Sequence, residues 1–236
     1  MSATLLEIHN AIEQITRFDQ LEPEDIDSLI NNAVTRISAG VSLPDGRITP
    51  PLPDLFSSAT VATATDAAYK TLGATYQRNL FMVSDSNDDL VRPPRGGDYY
   101  SFNMFLRGAR YKDLSESGSI YMCCVKGSNL YYQGIPSTSE NLLTYFYRKP
   151  VDMTDNSDTP DGIPDPFQLD LLKHFVCMDI YGKYVGQDLK AQTGDKFLRR
   201  YDYHRQKVNI LLFDMVAFIG EEGEPHYFSS DYEEEW

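Results

Sequence analysis

TYFYRKPVDMTDNSDTPDGIPDPFQLDLL, Thr144 to Leu172, joins an aromatic strand to an apolar, helix-like run. Between them lies a loop carrying Asp152, Asp155, Asp158, Asp161 and Asp165. If that loop is a metal site or a catalytic loop, the chain reads as an enzyme. If it only connects two layers, it reads as a structural part. A calcium loop of the EF-hand type needs D-x-[DN]-x-[DN]-G and a glutamate at its twelfth position. Here the aspartates fall every three or four residues, Gly162 is out of register and no glutamate follows. Pro160 and Pro164 stiffen the loop further. The preferred reading is structural: short polar side chains satisfy turn amides, Asp165 caps a helix and Pro166 starts it. The loop is then a crossing from a β-domain back to a helical body.

Upstream of the loop, from about Thr60 to Arg148, the pattern has period two. TVATAT, RNLFMV, YYSFNMFL, SIYMCCVK, NLYYQG and NLLTYFYR are separated by Gly, Pro, Asn, Asp and Ser clusters. This predicts a small antiparallel β-domain of five or six strands. KGSN, Lys126 to Asn129, reads as a hairpin turn. PPRGGDYY, Pro93 to Tyr100, has two glycines but lacks the lysine and serine of a phosphate loop, so it reads as a hairpin connection.

Downstream, Phe167, Leu171, Phe175, Met178, Tyr181 and Val185 line one helical face. A last helix is predicted from about Thr193 to Phe218, ended by Gly220. Phe197, Tyr201, His204, Val208, Leu211, Met215 and Phe218 alternate spacings of four and three, a strict heptad seam that packs inside the chain or against a neighbouring copy. At the other end, Leu5, Ile8, Ile12 and Ile15 mark a first helix. A second helix has Pro23 at its first position, acidic Glu24, Asp25 and Asp27 near its start, a stripe from Ile26 to Ile37, and Gly40 as its stop. Ser42 to Leu55 holds four prolines and reads as a stiff connector.

The predicted fold is α+β. Two N-terminal and two C-terminal helices form a four-helix bundle body, with the β-domain inserted and an extended acidic C-terminal tail. The divisions are 1–58 (helical hairpin and Pro-rich linker), 59–150 (β-domain), 151–220 (C-terminal helices) and 221–236 (acidic arm).

The 236 residues carry a net charge of −14, which argues against a general nucleic-acid binder. Seven acidic residues and no basic ones lie between Glu221 and Trp236. Such a block is solvated unless a basic partner orders it. Lys190, Lys196, Arg199, Arg200, Arg205 and Lys207 form the one positive cluster. Three cysteines without motif spacing give neither a disulfide framework nor a zinc pattern, and point to a reducing compartment. No signal peptide and no membrane span are read. The four histidines lie in different segments, and GxSxG, HExxH and CxxC are all absent. Cys123-Cys124 places one sulfur on each face of a strand, which suits packing. No catalytic residue, cofactor or metal ligand is therefore assigned.

The segment from Thr144 to Tyr181 resembles a recurring segment of tailed-bacteriophage head-to-tail connector adaptor proteins. The matching residues are Leu143, Tyr145, Tyr147, Pro150, Thr159, Asp161, Ile163, Pro164, Phe167 and Leu171-Leu172. IDSLINNAVTRISAG followed by TPPLPDL is similar to related virion proteins. The resemblance implies a structural, non-enzymatic ring protein of the neck, made in the host bacterial cytoplasm and built into the virion. Such adaptors dock beneath the portal protein, usually as a dodecamer, and extend the DNA channel. They pass packaged DNA without sequence-specific binding and present a surface to the next neck or tail protein. The last helix and EPHYFSSDYEEEW would make the arm that reaches the portal or a neighbouring subunit, with Tyr227, Phe228, Tyr232 and Trp236 as anchors. The same tail also reads as a solubilising end. Arg199, Arg200, Arg205 and Lys207 would face an acidic portal edge or the DNA channel, or form only a solvated helix face. Two other functions stay open at this stage: a tail-tube, baseplate or tail-completion component, and a hydrolase using paired carboxylates near the aspartate loop.

Overall fold

Thr4 opens the first helix by a reciprocal capping box: its hydroxyl accepts from the Glu7 amide, and the Glu7 carboxylate accepts from the Thr4 amide at 2.9 Å. The helix α1 (Leu5–Phe18) buries Leu5, Ile8, Ile12 and Thr16 on one face. The computed structural model describes residues 2–19, 21, 25–85, 87, 91, 102–108, 114–185 and 194–222. Helix α2 (Ile26–Ala39) is capped by Asp25, whose carboxylate accepts from the Ser28 amide at 3.1 Å, and stops at Gly40 with φ of 108°. Helix formation thus begins one turn later than Pro23 would place it, and Pro23 and Glu24 lie outside the described residues.

The protein is α+β, with five helices and antiparallel sheets among the described residues. It divides into two compact units, residues 1–54 with 150–236, and residues 55–149. The second unit holds β1 (Phe56–Ala62), β2 (Tyr69–Thr71), β3 (Tyr76–Ser84), helix α3 (Phe102–Gly108), β4 (Met122–Lys126), β5 (Asn129–Gln133) and β6 (Asn141–Arg148). The strands form two three-stranded sheets, ordered β1-β6-β3 and β2-β5-β4. One apolar cluster draws Val61, Val83, Leu142 and Phe146 from the first sheet and Cys123, Leu130 and Tyr132 from the second. The buried Tyr132 hydroxyl accepts from the Ala64 amide at 2.8 Å and donates to the Ala67 carbonyl at 2.9 Å, pinning the β1–β2 connection. The KGSN turn joins β4 to β5, with Gly127 at φ of 62°.

One predicted strand is a helix. Phe102, Met104 and Leu106 alternate as a strand would, but Phe102, Phe105 and Leu106 also match helical spacing. Seven residues cannot separate the two periods. Packing decides: Phe105 is fully buried against Met122 and Cys124, and Phe102 meets the Tyr131 ring edge-on at 5.0 Å. Cys123 and Cys124 do point to opposite faces of β4, one in each cluster. The Pro93–Tyr100 segment lies outside the described residues.

The first unit is organised on α4 (Gln168–Val185), which contacts α1, α2 and the 29-residue α5 (Gly194–Glu222). It is buried on more than the single stripe predicted: Leu171, Leu172, Phe175, Val176, Cys177, Ile180 and Tyr181 are all inaccessible. A helix surrounded by neighbours loses the one-sided pattern of a surface helix. Gly220 does not stop α5, which runs on to Glu222.

Candidate functional site

Two of the loop's five aspartates, Asp158 and Asp161, bind the loop's own backbone. Asp158 accepts from the amides of Thr154 at 2.8 Å and Asp155 at 2.9 Å, which holds its carboxyl below the usual range. Asp161 accepts from the Val151 amide at 2.8 Å. The loop carbonyls serve α1: the amides of Leu5 and Leu6, orphaned at a helix N-terminus, donate to Asp158 O at 2.8 Å and Asn156 O at 3.2 Å. The Asn31 side chain exchanges two hydrogen bonds of 2.9 Å with the Met153 backbone, tying the loop to α2. Asp165 sits inside a 3-10 turn rather than capping it; Pro164 holds the cap position. Its carboxylate receives the Ser2 hydroxyl at 2.9 Å. Among the described residues, no group of three His, Cys, Asp or Glu is arranged to hold a metal ion.

A polar cluster that sequence reasoning missed joins α1, α4 and α5. Asp19 caps the C-terminal end of α1, and its carboxylate has no solvent exposure. It accepts from the Tyr181 hydroxyl at 2.6 Å and pairs with Lys196 Nζ at 2.6 Å and Arg200 Nε at 3.1 Å. Burial pushes its pKa up, but Lys196, Tyr181 and Arg200 outweigh this and hold it low. An acidic residue at a helix C-terminus opposes the macrodipole. That misplaced charge was the available signal, and it needs the two cations to be tolerated. The Tyr181 ring stacks on His204 at 5.4 Å, and His204 Nδ1 lies 2.8 Å from His174 Nδ1. One imidazole must donate and the other accept, so at least the accepting ring is neutral. Burial, then the His174 and Arg200 charges, push His204 down to about 4; burial and Lys173 lower His174. Cys124 and Cys177 are pushed up to about 12 by burial, and Cys123 is raised too, so none carries a reactive thiolate.

The inward stripe of α5 begins as predicted, with Phe197, His204 and Val208 buried, then continues through Leu212, Met215 and Ile219 rather than Leu211 and Phe218. The repeat is eleven residues, not seven. A straight helix drifts about 20° per heptad, so without supercoiling the stripe steps one residue forward.

Of the predicted partner-binding residues, Arg200 turns inward to Asp19, whereas Arg199, Arg205 and Lys207 are exposed. Lys207 Nζ lies over the Tyr203 ring at 6.0 Å. Arg205 lines an open cleft of about 420 Å³ with Leu43, Pro44 and Asp202. A second cleft, about 440 Å³, is lined by Pro53, Gly162, Pro164, Pro166, Phe218 and Ile219. Lys190, Tyr227, Phe228, Tyr232 and Trp236 lie outside the described residues. No described helix is long and apolar enough to cross a membrane. No protein-family model matches the chain, and no curated protein matches its sequence.

Proposed function

We propose that this chain is a structural virion protein of a tailed bacteriophage, a head-to-tail adaptor that forms a ring beneath the portal and extends the DNA channel. The observation that carries the reading is the role of the Thr144–Tyr181 segment, where the resemblance is strongest. Strand β6 hands the chain to an aspartate loop in which the Asp158 and Asp161 carboxylates bind backbone amides, and the loop delivers α4 to the middle of the helical unit. A loop so used is a connector, as an assembly protein requires, and it leaves no free carboxylate pair for hydrolysis at Asp158 or Asp161. In this reading α1, α2, α4 and α5 are a four-helix bundle body, the β unit is an insertion that meets the tail side, and residues 221–236 form an arm on the portal or the next subunit. The exposed Arg199, Arg205 and Lys207 face acidic portal surface.

The experiment is a docking assay on purified portal, combined with antibody labelling of intact and dissociated phage particles. Neck label and portal-dependent ring formation are expected. Docking of the Arg199→Glu, Arg205→Glu double variant should weaken, and wild-type docking should weaken with salt. Label at the distal tail would replace the adaptor with a tail component. Absence from dissociated particles would remove the virion reading altogether.

A further inference from the structure

Helix α5 is held to its neighbours by two kinds of contact, one in each half. From Val208 onward its buried side chains are apolar: Val208, Leu212, Met215 and Ile219. Between Lys196 and Lys207 the buried residues are Phe197 and His204 alone. The rest of that half is fastened by two polar clasps. Lys196 and Arg200 reach the Asp19 carboxylate at the end of α1, and His204 Nδ1 meets His174 Nδ1 of α4 at 2.8 Å.

Each clasp fails as pH falls. The bond between the histidines needs at least one neutral imidazole, since two imidazoliums offer only donors. Burial opposes a second proton there. So do Arg200 on α5 and Lys173 on α4, with Lys207 near His174. The carboxylates facing the pair, Asp170 on α4 and Asp19 on α1, only partly offset these cations. Tyr181 and Tyr203 add ring contacts to His204 at 5.4 and 5.2 Å. The second clasp holds Lys196 and Arg200 only while Asp19 is charged. The burial of Asp19 is outweighed by Lys196, Tyr181 and Arg200, which hold its pKa below the ordinary value, so this clasp fails later than the histidine pair.

We propose that the first half of α5, Lys196 to Lys207, is an acid-released latch: protonation of the His174–His204 pair lets it lift from α1 and α4, while the apolar second half keeps its seat on α4. Above the ordinary histidine range neither the closed nor the lifted state takes a proton at the pair, and the latch is shut. Below that range the lifted state binds protons that the closed state refuses, so the lifted population grows as pH falls. The device is built from α1, α4 and α5 of one chain. It does not rest on the adaptor reading, and it is testable on the purified protein without portal.

The test is native-state hydrogen exchange on the full chain between about pH 7 and 5, without urea and at low urea, with rates corrected for intrinsic exchange. Amides from Leu198 to Lys207 are expected to exchange faster than those from Val208 to Ile219 at every pH. They should respond little to low urea, because lifting the latch exposes little surface. His204, lowered from 6.5 to about 4, should by itself speed them roughly twentyfold from about pH 7 to 5. His204→Gln should remove most of that acceleration; unchanged protection from Val208 to Ile219 at neutral pH shows that the variant is folded. Asp19→Asn should speed the same amides at neutral pH and leave their pH dependence in place. Exchange of both halves at one rate, with one steep urea response, would mean that α5 opens only by global unfolding and would overturn the latch. So would equal protection of the first half at both ends of the pH range, or an acceleration that survives His204→Gln.

Discussion

Acidification should destabilise this protein through one buried ring, beginning near the ordinary histidine range. His204 is 2% exposed, stacked on Tyr181 and hydrogen-bonded to His174. Arg200, Lys173 and His174 face it from α5 and α4, and Asp19 from the end of α1 only partly offsets them. Its pKa falls from 6.5 to about 4. The sign follows directly. Above the unfolded value both states are neutral and the full contribution is present. As pH drops below it, the unfolded chain binds a proton that the folded chain refuses, and stability falls until the folded value is reached. At about 1.4 kcal/mol per unit, His204 alone removes roughly 3 kcal/mol, and His174, also lowered, adds to the same slope. Urea unfolding should be followed at several pH values between about 6.5 and 4. His204→Gln keeps a hydrogen-bonding partner for His174 but cannot titrate in this window, so its stability curve should be flatter by about that amount. The His204 ring proton should titrate by NMR near 4 rather than near 6.5. Parallel curves for wild type and variant, or a ring titrating at its free value, would refute the reasoning.

The inward stripe of α5 makes Leu212→Ala costly, about 3 kcal/mol, and Leu211→Ala much cheaper, about 1; equal losses in chemical denaturation would restore a heptad seam. Asp158→Ala should cost about 1–2 kcal/mol because two loop amides lose their acceptor, while the exposed Asp152→Ala should stay within about 0.5. Calcium should not move the melting temperature of either; a calcium-dependent rise would make the loop a cation site. At Gly134 the backbone has φ of 75°, and a Cβ would lie 2.3 Å from the Ser119 carbonyl oxygen. Gly134→Ala should therefore destabilise by more than about 2 kcal/mol, and a neutral change would mean the segment around Ser119 is free to move.

Much of the fold was legible because local chemistry and tertiary packing agree. The Leu5, Ile8 and Ile12 stripe of α1, the Gly40 stop and the β4–β5 turn each follow from a few residues and survive, although Thr16 is buried where the stripe was read to end on Ile15. Reading failed where packing outvotes pattern. The seven residues of α3 fit two periods, and only the cluster beneath Phe105 chooses between them. Helix α4 looked one-sided but is enclosed, because what surrounds a helix is not written in its own spacing. The Asp19 cluster draws from residues 19, 174, 181, 196, 200 and 204. No local motif joins positions so far apart. Only the cost of an acid at a helix C-terminus hinted that cations must arrive from elsewhere.

The two faces of α5 sharpen that lesson. Read as one helix with one seam, its apolar residues give a heptad that includes Leu211 and Phe218. Placed against α4, they separate into an eleven-residue inward stripe and a shorter outward line centred on Ile210 and Phe213. The inward stripe explains itself by burial. The outward residues are partly packed as well: Tyr203 meets the His174 ring edge-on at 5.9 Å, and Gln206 lines the cleft beside Leu43 and Pro44. Which face of a long helix is buried is decided by the neighbours that reach it, and spacing alone does not name them.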